Sequence, residues 1–476
     1  MCIQNRPTTE SWYIPFVREI LRKNSSFFFA STLAAIGLRL LFVFRFPAIT
    51  SDSLVYGDIA KNWLLHGIYG LGGGTGITPT CIRLPGYPAF LAVVFAIFGV
   101  EHYRAVFLLQ VLVDLGTCFL IADLARRVVS DQSAKIAFLL AALCPFLANY
   151  TAAALSETWE IFFTVLALDL AIAAVRTLEK SMVLWLACGF AVGAAMLLRP
   201  DGGLLLIAIE IYLVVLAARE LAANRFRAIH VIKSGVIVGV VSLSCLVPWT
   251  LRNLHTLHQF QPLAPRYAND QQAFVPIGFI RWVKTWIADY ASVEEVYWAV
   301  PGDPIDANNL PNRAFDSAEQ RETTSQLIDD YNHVLHVTPA LDGRFAELAA
   351  DRVHYSRLRY YVTLPLLRIT DMWLRPRAEI LPCNTRWWEF DEDPQWLALN
   401  VAMGVVNILY ILAALAGLVR GRFQLGFGLL LLFVFLRSAF LGTLENPEPR
   451  YTLECYPIVI VLVAVLFTRE SSTAQS

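Results

Sequence analysis

Charge is scarce in this sequence. Only 16% of its 476 residues are Asp, Glu, Lys or Arg, where a soluble chain carries about 25%. The 38 basic and 39 acidic side chains almost cancel, which excludes a nucleic-acid binder carried by net charge. Eight cysteines are present without a Cys-x-x-Cys pair, which excludes a small disulfide-stapled scaffold. Cys118, Cys144, Cys188 and Cys245 lie in apolar runs, and Cys81, Cys383 and Cys455 leave one external disulfide open. The eight histidines form no HExxH motif and no cluster with carboxylates, so the expected chemistry uses no metal. The glycine run 67–76 is no P-loop, because no Gly-Lys-Ser/Thr follows it, and no dinucleotide fingerprint, because no strand precedes it. Internal repeats and low-complexity tracts are lacking too.

What the sequence has in excess is apolar length. It is 57% hydrophobic with a mean hydropathy of +0.53, against roughly 45–50% apolar in soluble domains. The fold class is therefore an all-α polytopic membrane protein. A span needs about 20 apolar residues to cross a core of about 30 Å. Ten segments qualify: 27–47, 104–126, 134–152, 157–176, 182–198, 201–218, 229–248, 396–419, 423–441 and 452–468. The first follows Arg18, Arg22 and Lys23 without a small-residue cleavage site and reads as an uncleaved anchor. Residues 88–100 are too short to cross and read as a re-entrant or interfacial helix.

Charge sets the orientation. With an inside N-terminus the short inside segments hold Arg6, Arg18, Arg22, Lys23, Arg126, Arg127, Lys135, Arg176, Lys180, Arg219, Arg225, Arg227, Lys233, Arg420, Arg422 and Arg469. The short outside segments hold only Arg45, Lys61, Arg83, Arg104, Arg199 and Arg450. That is the bias of the positive-inside rule, and counting 88–100 as a crossing reverses it. Three regions result: a membrane module 1–248 with a first outer loop 48–103, an outer segment 249–395, and C-terminal helices 396–476. Within the outer segment, 281–298 and 345–374 read as helices lying at the membrane interface, where Trp and Tyr rings prefer to sit.

Candidate chemistry gathers at the outer face. Tyr56, Ile59, Ala60, Trp63 and Leu64 recur at helical spacing, so 52–66 reads as an amphipathic helix with Asp58, Lys61 and Asn62 on its wet side. Asp52 at its edge reads as an N-cap, a role compatible with catalysis. The glycine run beyond it reads equally as a mobile lid or a slack linker. Arg83 precedes a Pro-rich break, Glu157 opens the fourth span, Arg199 lies in a tight outer turn, and Arg252 follows span seven. Arg450 and Tyr451 open the last span. Guanidinium forks suit phosphate oxygens, and a carboxylate can take a proton from an attacking hydroxyl. Arg39 and Asp114 lie inside spans, and read either as a mutual buried pair or as part of a functional polar path. The function classes open at this point are a lipid-phosphate-dependent transferase, a transporter or flippase of lipid-linked sugars, and a non-catalytic membrane subunit.

The order of these pieces resembles the GT-C membrane glycosyltransferases of the family-39 type, with the protein O-mannosyltransferases and the lipid A aminoarabinose transferase. The resemblance rests on Asp52-x3-Tyr56-x2-Ile59-Ala60, Arg83-x-Pro85-Gly86-Tyr87-Pro88 and Leu198-Arg199-Pro200. It extends to Pro248-Trp249-Thr250-x-Arg252-Asn253 and Glu448-x-Arg450-Tyr451. It implies a GT-C-like bundle that transfers a sugar from a polyprenyl-phosphate donor to a lipid, glycan or protein acceptor outside the cytoplasm, usually with inversion. Asp52 then matches the catalytic base and Glu157 the second acidic position. Tyr56, Lys61, Arg83, Arg199, Arg252, Arg450 and Tyr451 are counted as substrate- or donor-phosphate-binding residues. No cofactor is expected, nor nucleic acid; the partners are the donor, its acceptor and membrane lipids. The expected location is the cell membrane, a bacterial inner membrane, with catalytic loops outside. The sequence departs from the family at Ser53, where a second acidic residue is common, and in 249–395.

Overall fold

In lipid a chain must satisfy its backbone internally, so apolar runs of this length fold as helices. The computed structural model describes residues 24–468 apart from 75, 178–181, 270–272, 391–392, 422 and 424–425. The inside charges Arg6, Arg18, Arg22, Lys23, Lys180, Arg422 and Arg469 lie outside the described residues. The first half holds α1 Ser25–Arg45, α2 Ser51–His66, a hairpin β1 Gly70–Gly73 and β2 Gly76–Pro79, α3 Gly86–Phe98, α4 Tyr103–Val128, α5 Asp131–Ala142 and α6 Pro145–Tyr150. It continues through α7 Glu157–Thr177, α8 Met182–Leu198, α9 Gly203–Ala223, α10 Arg225–Ser244 and α11 Val247–Leu257. The second half holds α12 Ile277–Lys284, α13 Ala318–Val334, α14 Pro339–Tyr355, α15 Leu364–Leu374, α16 Pro394–Arg420, α17 Phe427–Gly442 and α18 Tyr456–Val465.

Every expected span contains helix. Among the described residues, five helical stretches are long and apolar enough to cross a membrane: α1, α4, α7, the run 225–257 and α16. Exposed Phe29, Phe44, Val183, Val214, Val240, Leu412 and Phe435 belong to an apolar surface that a water-soluble protein would bury. The third and last spans differ from expectation. Pro145 has no N–H and pushes its neighbour out of helical geometry, so 134–152 is two helices instead of one. The last segment starts as a tight 3-10 stretch, Pro449–Cys455, before α18, whose ten residues are all buried within the bundle. Helices approach closely where side chains are small: a Cβ on Gly417 of α16 would lie 2.0 Å from the Leu462 carbonyl oxygen.

The break at Pro145 leaves the last carbonyls of α5 without helical partners, and Arg39 takes them. Fully buried in α1, it donates to the Ala141 oxygen at 3.1 Å, to the Ala142 oxygen, and through Nε to Asp114 of α4 at 2.6 Å. Of the two readings of these charges, the structure shows the mutual buried pair. No disulfide joins Cys81, Cys383 and Cys455 to one another.

Residues 277–349 build a second core of their own. Trp282 and Trp286, both 0% exposed, pack there with Phe279, Tyr331 and Phe345. The expectation that 281–298 lies on the membrane interface fails for these rings, which face α13 and α14 instead of lipid. The stretch 355–367 does expose an apolar face, with Tyr355, Leu358, Tyr361, Leu366 and Leu367 open. Buried Arg368 ties this segment to the bundle by donating to Ile287 and Gly442 carbonyl oxygens at 2.8 and 3.4 Å.

Arg39→Leu leaves Asp114 buried without its cation and is expected to cost about 3–5 kcal/mol, read as a lowered Tm in detergent. The double variant Arg39→Leu/Asp114→Leu should recover most of the loss. A single variant as stable as the wild type would show that the pair does not hold α1 to α4.

Candidate active site

A short backbone pairing sets the site. The Ala48 N–H donates to the Ala152 oxygen at 2.8 Å and the Ala154 N–H to the Ala48 oxygen at 3.1 Å, a parallel bridge centred on Ala48 and Ala153. Each chain then enters a helix within four residues, so Asp52 in the first turn of α2 and Glu157 at the start of α7 stand side by side. Helix N-termini favour negative charge. The cap of α2 is Thr50, not Asp52: the Ser53 hydroxyl accepts the Thr50 N–H at 3.0 Å in a reciprocal capping box. Ser53, the departure from the family pattern, therefore does the capping and leaves the Asp52 carboxylate free.

Asp52 uses that freedom to bridge two arginines. Its Oδ1 accepts from Arg83 Nη2 at 2.7 Å and its Oδ2 from Arg450 Nη2 at 3.1 Å. Arg83 comes from the loop ended by Pro85 at the start of α3, with its guanidinium 5.7 Å from the Tyr56 ring. Arg450 comes from the 3-10 stretch before α18, and also contacts Glu448 at 2.5 Å and Glu157 at 3.5 Å. Burial works to raise the Asp52 carboxyl, but Arg450 and Arg83 outweigh it and hold the group below the ordinary carboxylate range. Burial pushes Glu448 up from that range, against the pull of Arg450 and the Tyr451 hydroxyl. Glu157 Oε2 is buried and has no hydrogen-bond partner. The Asp52 side chain keeps 29% of its surface open, Arg83 21% and Arg450 14%, so the bridge faces a water-accessible space.

A second layer lies beneath. Arg199, in the turn between α8 and α9, reaches Glu157 at 3.9 Å, Glu160 at 3.5 Å and Asp201 at 3.1 Å, and stands 4.5 Å over the Tyr451 ring. Fully buried Arg437 of α17 pairs with Asp201 at 3.0 Å and with Glu454, and donates to the Tyr451 carbonyl oxygen at 2.8 Å. Glu160, Asp201 and Glu454 present carboxylate oxygens within 4.8 Å of one another, the one such grouping among the described residues. Arg199 and Arg437 stand among these carboxylates at ion-pair distance, so a divalent ion there would have to displace a guanidinium.

Of the residues counted from sequence, Asp52, Tyr56, Arg83, Glu157, Arg199, Arg450 and Tyr451 come together. Two do not. Lys61 lies nine residues along α2 and pairs with Glu101 at 2.9 Å and Asp58 at 3.5 Å. Arg252 donates to the Tyr69 and Thr80 carbonyl oxygens at 2.6 and 2.7 Å, which clamps the base of the hairpin instead of facing the bridge. The described part of the glycine run forms this hairpin, paired antiparallel from Gly70–Pro79 to Gly73–Gly76. Asn62, expected on the wet side, is buried and donates to the Gly70 oxygen at 3.0 Å, while Asp58 accepts the Gly72 N–H at 2.7 Å. The sequence reading missed Glu160, Arg437, Glu448 and Glu454 as site members. Three of these are charges inside expected spans, the same signal that marked Arg39 and Asp114.

Residues 80–249 match the family model described as dolichyl-phosphate-mannose-protein mannosyltransferase. Among solved structures, the archaeal oligosaccharyltransferase AglB from Archaeoglobus fulgidus, in complex with an inhibitory peptide and a dolichol-phosphate, superimposes with a TM-score of 0.51 at 14% identity. The match covers 96% of this chain and 50% of that one. This chain has the GT-C fold. The Archaeoglobus fulgidus oligosaccharyltransferase tethered with an acceptor peptide containing the NVT sequon gives the same score at 13% identity, with the same coverage of 96% and 50%. ArnT from Cupriavidus metallidurans, bound to undecaprenyl phosphate, matches at 15% identity over 90% of this chain and 78% of that one, with a TM-score of 0.40. No curated protein sequence matches. The chain spans about half the length of the oligosaccharyltransferase structures it resembles. Within the GT-C bundle the family-matched stretch carries Arg83, Glu157 and Arg199, whereas Asp52 and Arg450 lie outside it.

Proposed function

We propose that the chain is a glycosyltransferase that moves a sugar from a polyprenyl-phosphate donor to an acceptor hydroxyl. The observation that carries this reading is the Asp52 carboxylate set between Arg83 and Arg450, beside Glu157, at one end of a membrane bundle. The mannosyltransferase description over 80–249 and the dolichol-phosphate in the AglB complex support a lipid-phosphate donor.

In this reading the guanidinia of Arg83 and Arg450 hold the donor phosphate, with Arg199 behind them, and the lipid tail stays in the membrane. The acceptor oxygen attacks the anomeric carbon from the side opposite the phosphate, so the configuration inverts. The carbon–oxygen bond to phosphate breaks, and the phosphate leaves with the electron pair. Asp52 takes the acceptor proton. Glu157, through its unpartnered oxygen, accepts a hydroxyl hydrogen of the sugar or acceptor. The step needs no metal, because the guanidinia supply the positive charge at the leaving group. In this reading the catalytic end faces outward, as the charge bias implies, and the membrane is a bacterial inner membrane. A transporter reading loses its main support, since Arg39 and Asp114 are closed on each other and on backbone carbonyls instead of lining a path.

Asp52→Asn is expected to abolish sugar transfer in reconstituted vesicles while expression and insertion persist. Retained transfer would remove Asp52 as the base. Arg83→Ala should weaken donor binding at least tenfold, the loss of about 1.4 kcal/mol; an unchanged donor affinity would count against its phosphate role. Transfer should continue in excess chelator, and complete loss that a divalent ion restores would reverse the metal-independent reading.

A further inference from the structure

The bridge between Asp52 and the two arginines puts the base and the phosphate-binding groups of the proposed reaction in contact with each other. Asp52 Oδ1 and Oδ2 each hold one guanidinium, at 2.7 and 3.1 Å, the way two oxygens of a phosphate would hold the same pair. Arg83 has no other carboxylate partner among the described residues. Arg450 has two besides, Glu448 at 2.5 Å and Glu157 at 3.5 Å. All three members of the bridge are open to water in part, so an incoming anion can reach them.

We propose that Asp52 holds Arg83 and Arg450 in the place a donor phosphate takes, and that donor phosphate binds by exchanging places with this carboxylate on the two guanidinia. The inference rests on the donor reading given above and adds an order to it. While both guanidinia are engaged, Asp52 is stabilised as an anion and is a poor proton acceptor. Arrival of a phosphate takes the arginines away, and the freed carboxylate faces the acceptor. The base is armed only when the leaving group is in place. No covalent step is involved; one anion replaces another on two cations. The other groups around the bridge stay put: Glu448 and Glu157 keep their hold on Arg450, and Tyr56 keeps Arg83 above its ring.

The exchange makes an unusual demand on the variant that kills the reaction. With its negative competitor gone, Asp52→Asn in the full chain, in lipid nanodiscs, should bind undecaprenyl phosphate about five- to tenfold more tightly than the wild type. Asp52→Ser should do the same, which guards against a misfolded single variant. Glu157→Gln removes an equal charge near Arg450 but touches no bridge to Arg83, and should tighten binding by less than twofold. Inorganic phosphate titrated in parallel should show the same ratio between Asp52→Asn and wild type. A ratio confined to the lipid probe would overturn the exchange of phosphate for carboxylate. So would equal affinity in wild type and both Asp52 variants, or equal tightening by Glu157→Gln. Binding of neither probe by any of the proteins would overturn the donor reading itself, and the exchange with it.

Discussion

Two hydrogen bonds between Ala48 and the backbone at Ala152 and Ala154 fix the relation on which the candidate site depends. The two segments are about a hundred residues apart, and each carries its carboxylate four residues past the bridge. Because the pairing is parallel, both chains leave it in the same direction and both begin a helix there. Asp52 and Glu157 therefore share one rim and one electrostatic setting, the positive ends of two helices. Negative charge drawn to that rim then has to be balanced, and the arginines from the α3 loop, the α8–α9 turn and the 3-10 stretch before α18 supply the balance.

Buried guanidinia organise the rest of the molecule in the same manner. Arg39 closes the end of α5, Arg437 joins α17 to the turn at Asp201 and to Glu454, and Arg352 holds the second core by donating to Thr285 and to the Ala314 and Arg313 carbonyl oxygens. Each stands where a chain break or a tight turn leaves carbonyls or carboxylates without partners. An arginine can fill such a place because its five donors point in fixed directions. The same geometry suits it to hold a phosphate at the rim, where the partners are exchangeable.

The membrane character and the helical spans were legible because apolar length is written directly in the sequence. The gathering of Asp52, Arg83, Glu157, Arg199 and Arg450 was legible from their common position at span ends that the charge bias assigns to one side. What was not legible depended on direction within a helix or loop. Asn62 looked solvated by its polarity, yet the hairpin needs a donor for the Gly70 oxygen and turns it inward. Arg252 carries a charge that suits phosphate, yet two hairpin carbonyls claim it first. Trp282 and Trp286 suggested an interface by composition, and a second core absorbed them. Arg437 and Glu454 could have been found, since an ion inside a span requires a counter-ion wherever it occurs.

The last helix has no face toward lipid: every residue of Tyr456–Val465 is enclosed by protein. A span in contact with acyl chains tilts or shifts when the bilayer thickens or thins. This one takes its height from neighbouring helices alone. Arg450, at its head, therefore meets Asp52 at a height set by protein packing and not by direct contact of its own helix with acyl chains.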